Sequence, residues 1–388
     1  MPDDLPACHT QLVEEWENSE NDLVTQAVQA LRSLLGDGWE VADTTVHKSG
    51  SQRSFLDAHL TITPPDRGRY TEVLVSAHRS MTPKAAQRDI GLIQEILGQT
   101  SSPPNLLVVA PWLSPRTQHE LRVRGAGYLD LTGNVDWSVR VPSIRIFTQG
   151  AAKAPRQNNA ATKNVTLAGP RAGRIVRFLT DFEPPYRATE IAEESGTSLP
   201  WVSRLLGQLE DQLLIERDGR TIVRADWEGL IRARAQTYNL LRNNSFVGMV
   251  SPTGPDAVLR TLRELGSPNS DIAVTGPFAS RAIAPLSAGG QLMLYVEAGP
   301  HTPDVWAERL GLLRTEGEAD VLFLRAHDDI VFSRTRQVDG VTHVAPTQLV
   351  LDGLEGPGRM PAEAEAVLKY LASDTGAWRI PWRRVSSA

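Results

Sequence analysis

Cysteine is almost absent from this 388-residue sequence: Cys8 stands alone, so no internal disulfide can form. Apolar runs of membrane-spanning length are missing as well. The first residues lack a basic segment followed by an apolar one, which a secretory signal peptide needs. We therefore expect a cytoplasmic protein with no membrane partner, in keeping with a reducing compartment.

Several patterns typical of enzymes are also missing. The sequence has neither a phosphate-binding loop ending in Gly-Lys-Ser/Thr nor a dinucleotide fingerprint, and its eight histidines show no metal-ligand spacing. Gly276-Pro277 resembles the start of a nucleotidyltransferase site, but the next strand, 291–296, lacks the acid pair that would hold two metal ions. His327-Asp328-Asp329 fits a polar turn between two strands. We expect no catalytic residue, no metal and no cofactor.

An excess of positive charge is absent too. With 40 Lys and Arg against 46 Asp and Glu, the formal net charge is −6, so any contact with a polyanion must come from a local patch.

The length predicts two to three domains. We predict an α/β and α+β multidomain fold, divided as follows: an α/β domain at 1–150, a basic linker at 151–169, a winged domain at 170–244 and an α+β domain at 245–388.

Three helical patterns and a short hairpin occupy residues 171–227. Pro184-Pro185 ends the first helix, and Gly196 suits a tight turn between the second and the third. The third helix has Pro200 in its first turn, where proline is tolerated. Its apolar positions predict a buried face: Val202, Leu205, Leu206, Leu209 and Leu213. Strands at 214–217 and 221–224, joined by Asp218-Gly219-Arg220, predict a wing.

The run Ser198-Leu-Pro-Trp-Val-Ser-Arg204, followed by Leu209-Glu210, resembles winged helix-turn-helix DNA-binding domains. The resemblance implies that the third helix enters the major groove of double-stranded DNA and that the wing contacts the backbone. The predicted DNA-binding residues of the third helix are Ser198, Trp201, Ser203, Arg204 and Gln208. The predicted phosphate contacts are Arg171, Arg174, Arg217 and Arg220. Winged helices also serve as protein–protein modules, and that alternative stays open.

The N-terminal segment has the order helix, three strands, helix, strand, and resembles the restriction-endonuclease-like PD-(D/E)XK fold. That resemblance implies a metal site on Asp57 and Glu72. Leucine, Leu74, stands where the pattern has lysine, with Lys84 as a possible migrated replacement. We interpret 1–150 as a degenerate nuclease-like domain, and a metal-dependent nuclease is the alternative function.

The C-terminal third resembles AbiEi-family antitoxins, which are winged-helix regulators of type IV toxin–antitoxin systems. The resemblance is carried by Val274-Thr-Gly-Pro-Phe-Ala-Ser280 and by residues 345–354 with 359–366. An antitoxin-like protein-binding module is therefore a further alternative. The preferred hypothesis is a sequence-specific transcriptional regulator. The helix predicted at 227–242 closes the winged domain or forms a homodimer contact, and the sequence indicates no particular effector.

Overall fold

The computed structural model describes residues 22–43, 56–97, 105–155, 166–265, 271–286, 288–297, 299 and 302–382. The chain divides into two compact units, Met1–Lys163 and Asn164–Ala388. Among the described residues, no helix is long and apolar enough to cross a membrane. Cys8 and two basic residues of the predicted linker, Arg156 and Lys163, lie outside the described residues.

The N-terminal unit is built on one seven-stranded sheet whose strand order follows the chain, β1-β2-β3-β4-β5-β6-β7. Its elements are α1 (22–35), β1 (Glu40–Asp43), β2 (Ala58–Thr63), β3 (Thr71–Ala77), α2 (Pro83–Leu97), β4 (Asn105–Ala110), α3 (Pro115–Val123), β5 (Gly127–Asp130), β6 (Val135–Val139) and β7 (Ile144–Thr148). Strands β3, β4 and β5 are parallel, and the strands on either side pair antiparallel. The predicted order of helices and strands is present.

Strand β4 is the centre of this unit, as its continuous apolar run predicts. Leu107 and Val109 belong to the core that the sheet forms with α1. Leu106 and Val108 belong to the core on the other face, beneath α2 and α3. Burial on both faces explains why the strand contains no alternating polar residues.

The C-terminal unit begins with the winged segment. Its elements are α4 (Gly169–Asp181), β8 (Phe182–Glu183), β9 (Tyr186–Arg187), α5 (Ala188–Glu194), α6 (Leu199–Asp211), β10 (Ile215–Asp218), β11 (Thr221–Ala225) and α7 (Trp227–Ala235). Strands β10, β11 and β9 form a three-stranded sheet. The first helix, the second helix, the third helix and the wing therefore occur in the predicted order.

A second seven-stranded sheet, ordered β15-β12-β16-β14-β13-β18-β17, forms the rest of this unit. Its elements are α8 (Leu240–Asn243), β12 (Ser245–Val250), α9 (Pro255–Glu264), β13 (Ile272–Thr275), α10 (Gly276–Arg281), β14 (Leu292–Val296), α11 (Thr302–Leu310), β15 (Leu313–Arg314), β16 (Val321–Arg325), β17 (Arg336–Val338), β18 (Val341–His343), α12 (Pro346–Leu354), α13 (Met360–Ser373) and β19 (Ile380–Pro381). The segment combines helices with a sheet that contains both antiparallel and parallel strand pairs.

Two predicted elements of this unit are wrong. The helix predicted over 227–242 ends at Ala235, and Asn239 caps a separate short helix by accepting a hydrogen bond from the amide of Arg242. The second of the two strands expected around His327-Asp328-Asp329 is instead a 3-10 helix, Asp329–Phe332, because the Asp328 carboxylate accepts a hydrogen bond from the amide of Ile330. In both cases a side-chain cap overrides the apolar pattern.

The chain returns to the winged segment near its C-terminal end. Strand β19 pairs in parallel with β8. The ring of Trp382 lies 4.7 Å from that of Phe178 and 5.0 Å from that of Phe182, both in edge-to-face contact. Arg379 donates hydrogen bonds to the carbonyl oxygens of residues 179, 180 and 182. The core of the winged segment is thus completed by residues almost two hundred positions later.

Candidate nucleic-acid interface

Helices α5 and α6 form the helix-turn-helix pair, and Gly196 makes the turn between them. Gly196 has φ +60°, a left-handed conformation that glycine adopts without the cost a Cβ would bring. Ser198 is the N-cap residue of α6, and Pro200 lies in the first turn as predicted. The Ser198 side chain is exposed and makes no capping hydrogen bond at the start of the helix.

Helix α6 has one buried face and one outward face. Val202, Leu205, Leu206 and Leu209 are buried, as their spacing predicts. Leu213 lies beyond the end of the helix, in a left-handed conformation with φ +54°, and is partly buried. The outward side carries the predicted residues: Ser203 and Arg204 are exposed, while Trp201 and Gln208 are partly buried. The amphipathic pattern therefore orients the candidate recognition face.

The wing is the hairpin of β10 and β11, whose tip is Gly219-Arg220. Arg220 is exposed at this tip. Arg217 is engaged differently: its Nε donates to Glu210 Oε2 of α6 at 2.7 Å. This ion pair fixes the wing against the helix that carries the recognition face.

The predicted phosphate-binding arginines of α4 have unlike surroundings. Arg171 is exposed. Arg174 donates from Nε to both carboxylate oxygens of Asp328, at 3.1 and 2.9 Å, and this hydrogen bond raises the pKa of Arg174. The Asp328 side chain is only 2% exposed, so Arg174 neutralises a buried carboxylate. Arg171, Arg174 and Trp201 line a shallow depression of about 390 Å³ at the start of α4.

Behind α4 lies a buried polar network that the sequence patterns do not reveal. Arg177 donates to Asp181 Oδ2 at 3.0 Å and to Gln348 Oε1 at 2.8 Å. The amide of Gln348 donates in turn to Asp352 Oδ1 at 2.7 Å. The same carboxylate accepts hydrogen bonds from Tyr238 and Tyr295, at 2.9 and 3.0 Å. The network links the first winged helix to the C-terminal sheet.

Asp352 is the centre of this network and is fully buried. Its second oxygen, Oδ2, accepts a hydrogen bond from Thr275 Oγ1 at 2.7 Å. Burial raises the pKa of Asp352 to about 6, against the opposing effect of these hydrogen bonds. The carboxyl group is therefore a titratable site inside the protein core. Gln348 and Asp352 are four residues apart, which places both on one face of helix α12. The sequence does not indicate which side chains they contact.

The predicted carboxylate pair of the N-terminal unit is not brought together. Glu72 is paired with Thr61, whereas Asp57 directly precedes Ala58, which is paired with Val75. The two acids are thus separated by four positions, or about 13 Å, along the strand pair. The residues beside Asp57 are instead Ala77, whose amide donates to Asp57 Oδ2 at 2.6 Å, and Ser76, which bonds His78 at 3.0 Å. In the described part of the chain, no group of three His, Cys, Asp or Glu side chains has a metal-binding arrangement.

Comparison with known proteins identifies the central segment. Residues 170–233 match the model of the Crp-like helix-turn-helix domain. The matched region runs from α4 through the wing into α7. No curated protein and no solved structure was found to match the chain. The matched segment is a winged helix-turn-helix of the kind that DNA-binding regulators contain.

Proposed function

We propose that this protein is a sequence-specific transcriptional regulator whose partner is double-stranded DNA. Helix α6 enters the major groove, and Ser203, Arg204 and Gln208 contact base edges. The observation that carries the proposal is the amphipathic α6 within the Crp-like segment: its apolar side is buried in the winged core, and Ser203 and Arg204 are exposed opposite.

The remaining predicted contacts divide into two groups. Arg171 and Arg220 are exposed and lie at the start of α4 and at the tip of the wing, where they contact phosphates. Arg174 and Arg217 are held by Asp328 and Glu210, so their first role is to fix the elements that carry the interface. Ser198 and Trp201, at the start of α6, complete the proposed surface.

The N-terminal unit is proposed to be a non-catalytic domain of nuclease-like architecture. Its helix, three-stranded antiparallel meander, helix and parallel strand follow the order of the restriction-endonuclease-like fold. The separation of Asp57 and Glu72 along the strand pair argues against a metal site shared by these two residues and so against the nuclease alternative. An AbiEi-like antitoxin role draws on the C-terminal sequence resemblance alone and remains the weaker proposal.

Selection of bound duplexes from a randomised pool with the full chain tests the proposal. We expect one enriched motif, and protection of that motif from chemical cleavage in a footprint. If the protein binds as a homodimer, the motif is an inverted repeat with half-sites about one helical turn apart. The matched control is Arg260→Ala, which removes an exposed arginine from α9 instead of α6. Recovery of no motif, or of the same motif at unchanged affinity with Ser203→Ala and Arg204→Ala together, contradicts the proposal.

A further inference from the structure

The first turn of helix α6 presents apolar side chains at its surface. Leu199 is 41% exposed and Pro200 is exposed, while Trp201 is half-buried against the core of the winged segment. Single exposed apolar residues are common on proteins, but a succession of them is unusual on a surface that has no binding role. The turn therefore indicates a contact with a group that is itself apolar.

This apolar turn lies beside the proposed base contacts. Pro200 precedes Arg204 by four residues, and Leu199 precedes Ser203 by four. Residues at this spacing are neighbours on the surface of a helix, so the apolar turn extends the outward face of α6 by one turn toward its N-terminus. Trp201 also lines the depression at the start of α4 that contains proposed phosphate contacts. The turn is thus continuous with both parts of the proposed DNA interface.

Hydrogen-bond donors are few at this end of the helix. Pro200 has no backbone N–H. The amides of Trp201 and Val202 both donate to the carbonyl oxygen of Ser198, at 3.0 Å. The side chains of Leu199 and Pro200 contain no donor or acceptor. A phosphate bound at a helix N-terminus requires free N–H groups, so the first turn of α6 is poorly suited to the DNA backbone.

The major groove contains an apolar group that suits this turn, the C5-methyl of thymine. Recognition helices contact base edges with residues near their N-terminal ends. A thymine methyl group packed on Leu199 and Pro200 is removed from water without leaving a polar group unpaired. The other three bases have no methyl group in the groove, so they gain less from the same contact.

We propose that Leu199 and Pro200 are specificity-determining residues that recognise a thymine methyl group in the major groove. The inference rests on the proposed function, because it assigns a base preference to the same helix. One turn of an α-helix advances about 5.4 Å, and successive base pairs are about 3.4 Å apart. The thymine therefore lies about one or two base pairs from the position that Arg204 reads.

Deoxyuridine substitution tests the proposal, because deoxyuridine differs from deoxythymidine only by the missing methyl group. Each thymine of the selected duplex is replaced in turn, and the affinity of the full-length protein is measured at fixed salt. We expect about a fourfold loss of affinity at the thymine beside the Arg204 position, which is the effect of burying about one methyl group. Deoxyuridine outside the motif should have no effect.

The double variant Leu199→Ser with Pro200→Ala removes the apolar contact and leaves the buried face of α6 unchanged. It should bind the thymine duplex about fourfold more weakly than the parent does. It should also no longer distinguish thymine from deoxyuridine, since the two changes remove the same contact. Leu265→Ser is the matched control: it changes a 37% exposed leucine at the end of α9 and should keep the full deoxyuridine effect.

Two results overturn this inference while the proposed function stands. One is a selected motif whose affinity no deoxyuridine changes. The other is a deoxyuridine effect that is the same in the double variant and in the parent, which would place the methyl contact on other residues. Failure to recover any motif removes the proposed function and this inference with it. The deoxyuridine series uses the unaltered chain, so its outcome does not depend on the folding of a variant.

Discussion

The indole Nε1 of Trp382 donates a hydrogen bond to Glu190 Oε1 at 2.9 Å, although 192 positions separate the two residues. The other oxygen of Glu190 accepts a hydrogen bond from the amide of Arg187 at 2.6 Å and caps α5. One carboxylate thus joins the first helix of the helix-turn-helix pair to the last described residue of the chain. The winged segment does not supply its own complete core.

Trp382 substitutions test this dependence. Trp382→Ala should lower the free energy of unfolding by about 3–5 kcal/mol, because a buried ring in an aromatic cluster is lost. Trp382→Phe keeps most of the ring and should cost about 1 kcal/mol through the hydrogen bond to Glu190. Denaturant unfolding measures both values. Trp378→Phe is the control, since its indole instead donates to the Leu371 carbonyl. Weaker DNA binding in Trp382→Phe than in Trp378→Phe is expected, and equal binding would count against a positioning role.

Arg204→Ala should weaken binding to the selected duplex by about 1–3 kcal/mol, the usual contribution of a bidentate arginine–guanine contact. Binding to unrelated DNA should change much less, because base contacts carry the sequence information. Competition binding at fixed salt measures both affinities. An equal loss on specific and unrelated duplexes would make Arg204 a phosphate contact and the assigned base-reading role wrong.

The exposed arginines should appear in the salt dependence of binding. Arg171→Ala and Arg220→Ala should each reduce the slope of log affinity against log salt by about one. Arg174→Ala should chiefly lower the free energy of unfolding, because the buried Asp328 carboxylate loses its partner. Binding isotherms at several salt concentrations provide the slopes. A slope unchanged after neutralisation of Arg171, Arg174, Arg217 and Arg220 together would eliminate the proposed footprint.

Asp352 should make the protein less stable as pH rises from about 4 to about 6. Its pKa is raised from 3.8 to about 6, so over this range the native state holds a proton that the unfolded state has released. The native state therefore loses about 3 kcal/mol of relative stability, and the loss is complete above the folded pKa. Asp352→Asn should remove this decline, since the amide oxygen and NH₂ can retain the hydrogen bonds of the neutral carboxyl. The free energy of unfolding of Asp352→Asn minus that of the parent should increase from about pH 4 to about pH 6. A difference that does not change with pH contradicts the assignment.

His343 should act in the opposite direction over a similar range. Burial lowers the pKa of His343 from 6.5 to about 4, so the unfolded state takes up a proton that the native state does not. Stability contributed by this residue is present above about 6.5 and is lost as pH falls toward 4. His343→Gln should therefore be relatively more stable against the parent at pH 4.5 than at pH 7. Thermal unfolding of the variant and the parent at the two pH values measures this difference in stability. A difference that is the same at both pH values would exclude His343 as the titrating group.

The sequence by itself determined the winged segment. Apolar spacing, Pro200 and Gly196 predicted the buried face of α6 and the turn before it, because these features depend on positions three or four residues apart. The burial of β4 could also be predicted, because its signal is a continuous run of adjacent apolar residues. The surroundings of the arginines could not be predicted from neighbouring residues. Arg171 and Arg174 look alike in the sequence, yet Arg171 is exposed and Arg174 binds Asp328.

Tertiary structure alone decided the partners of charged and polar groups. The pairing register separated Asp57 from Glu72, and the returning chain placed Trp382 on Glu190. The tertiary fold also brought the Asp352 carboxylate within hydrogen-bond distance of Thr275, Tyr238 and Tyr295. These contacts join residues far apart in the chain, and their energy depends on burial and geometry. A one-dimensional pattern records which face of a helix is apolar, but not which distant side chain will lie against it.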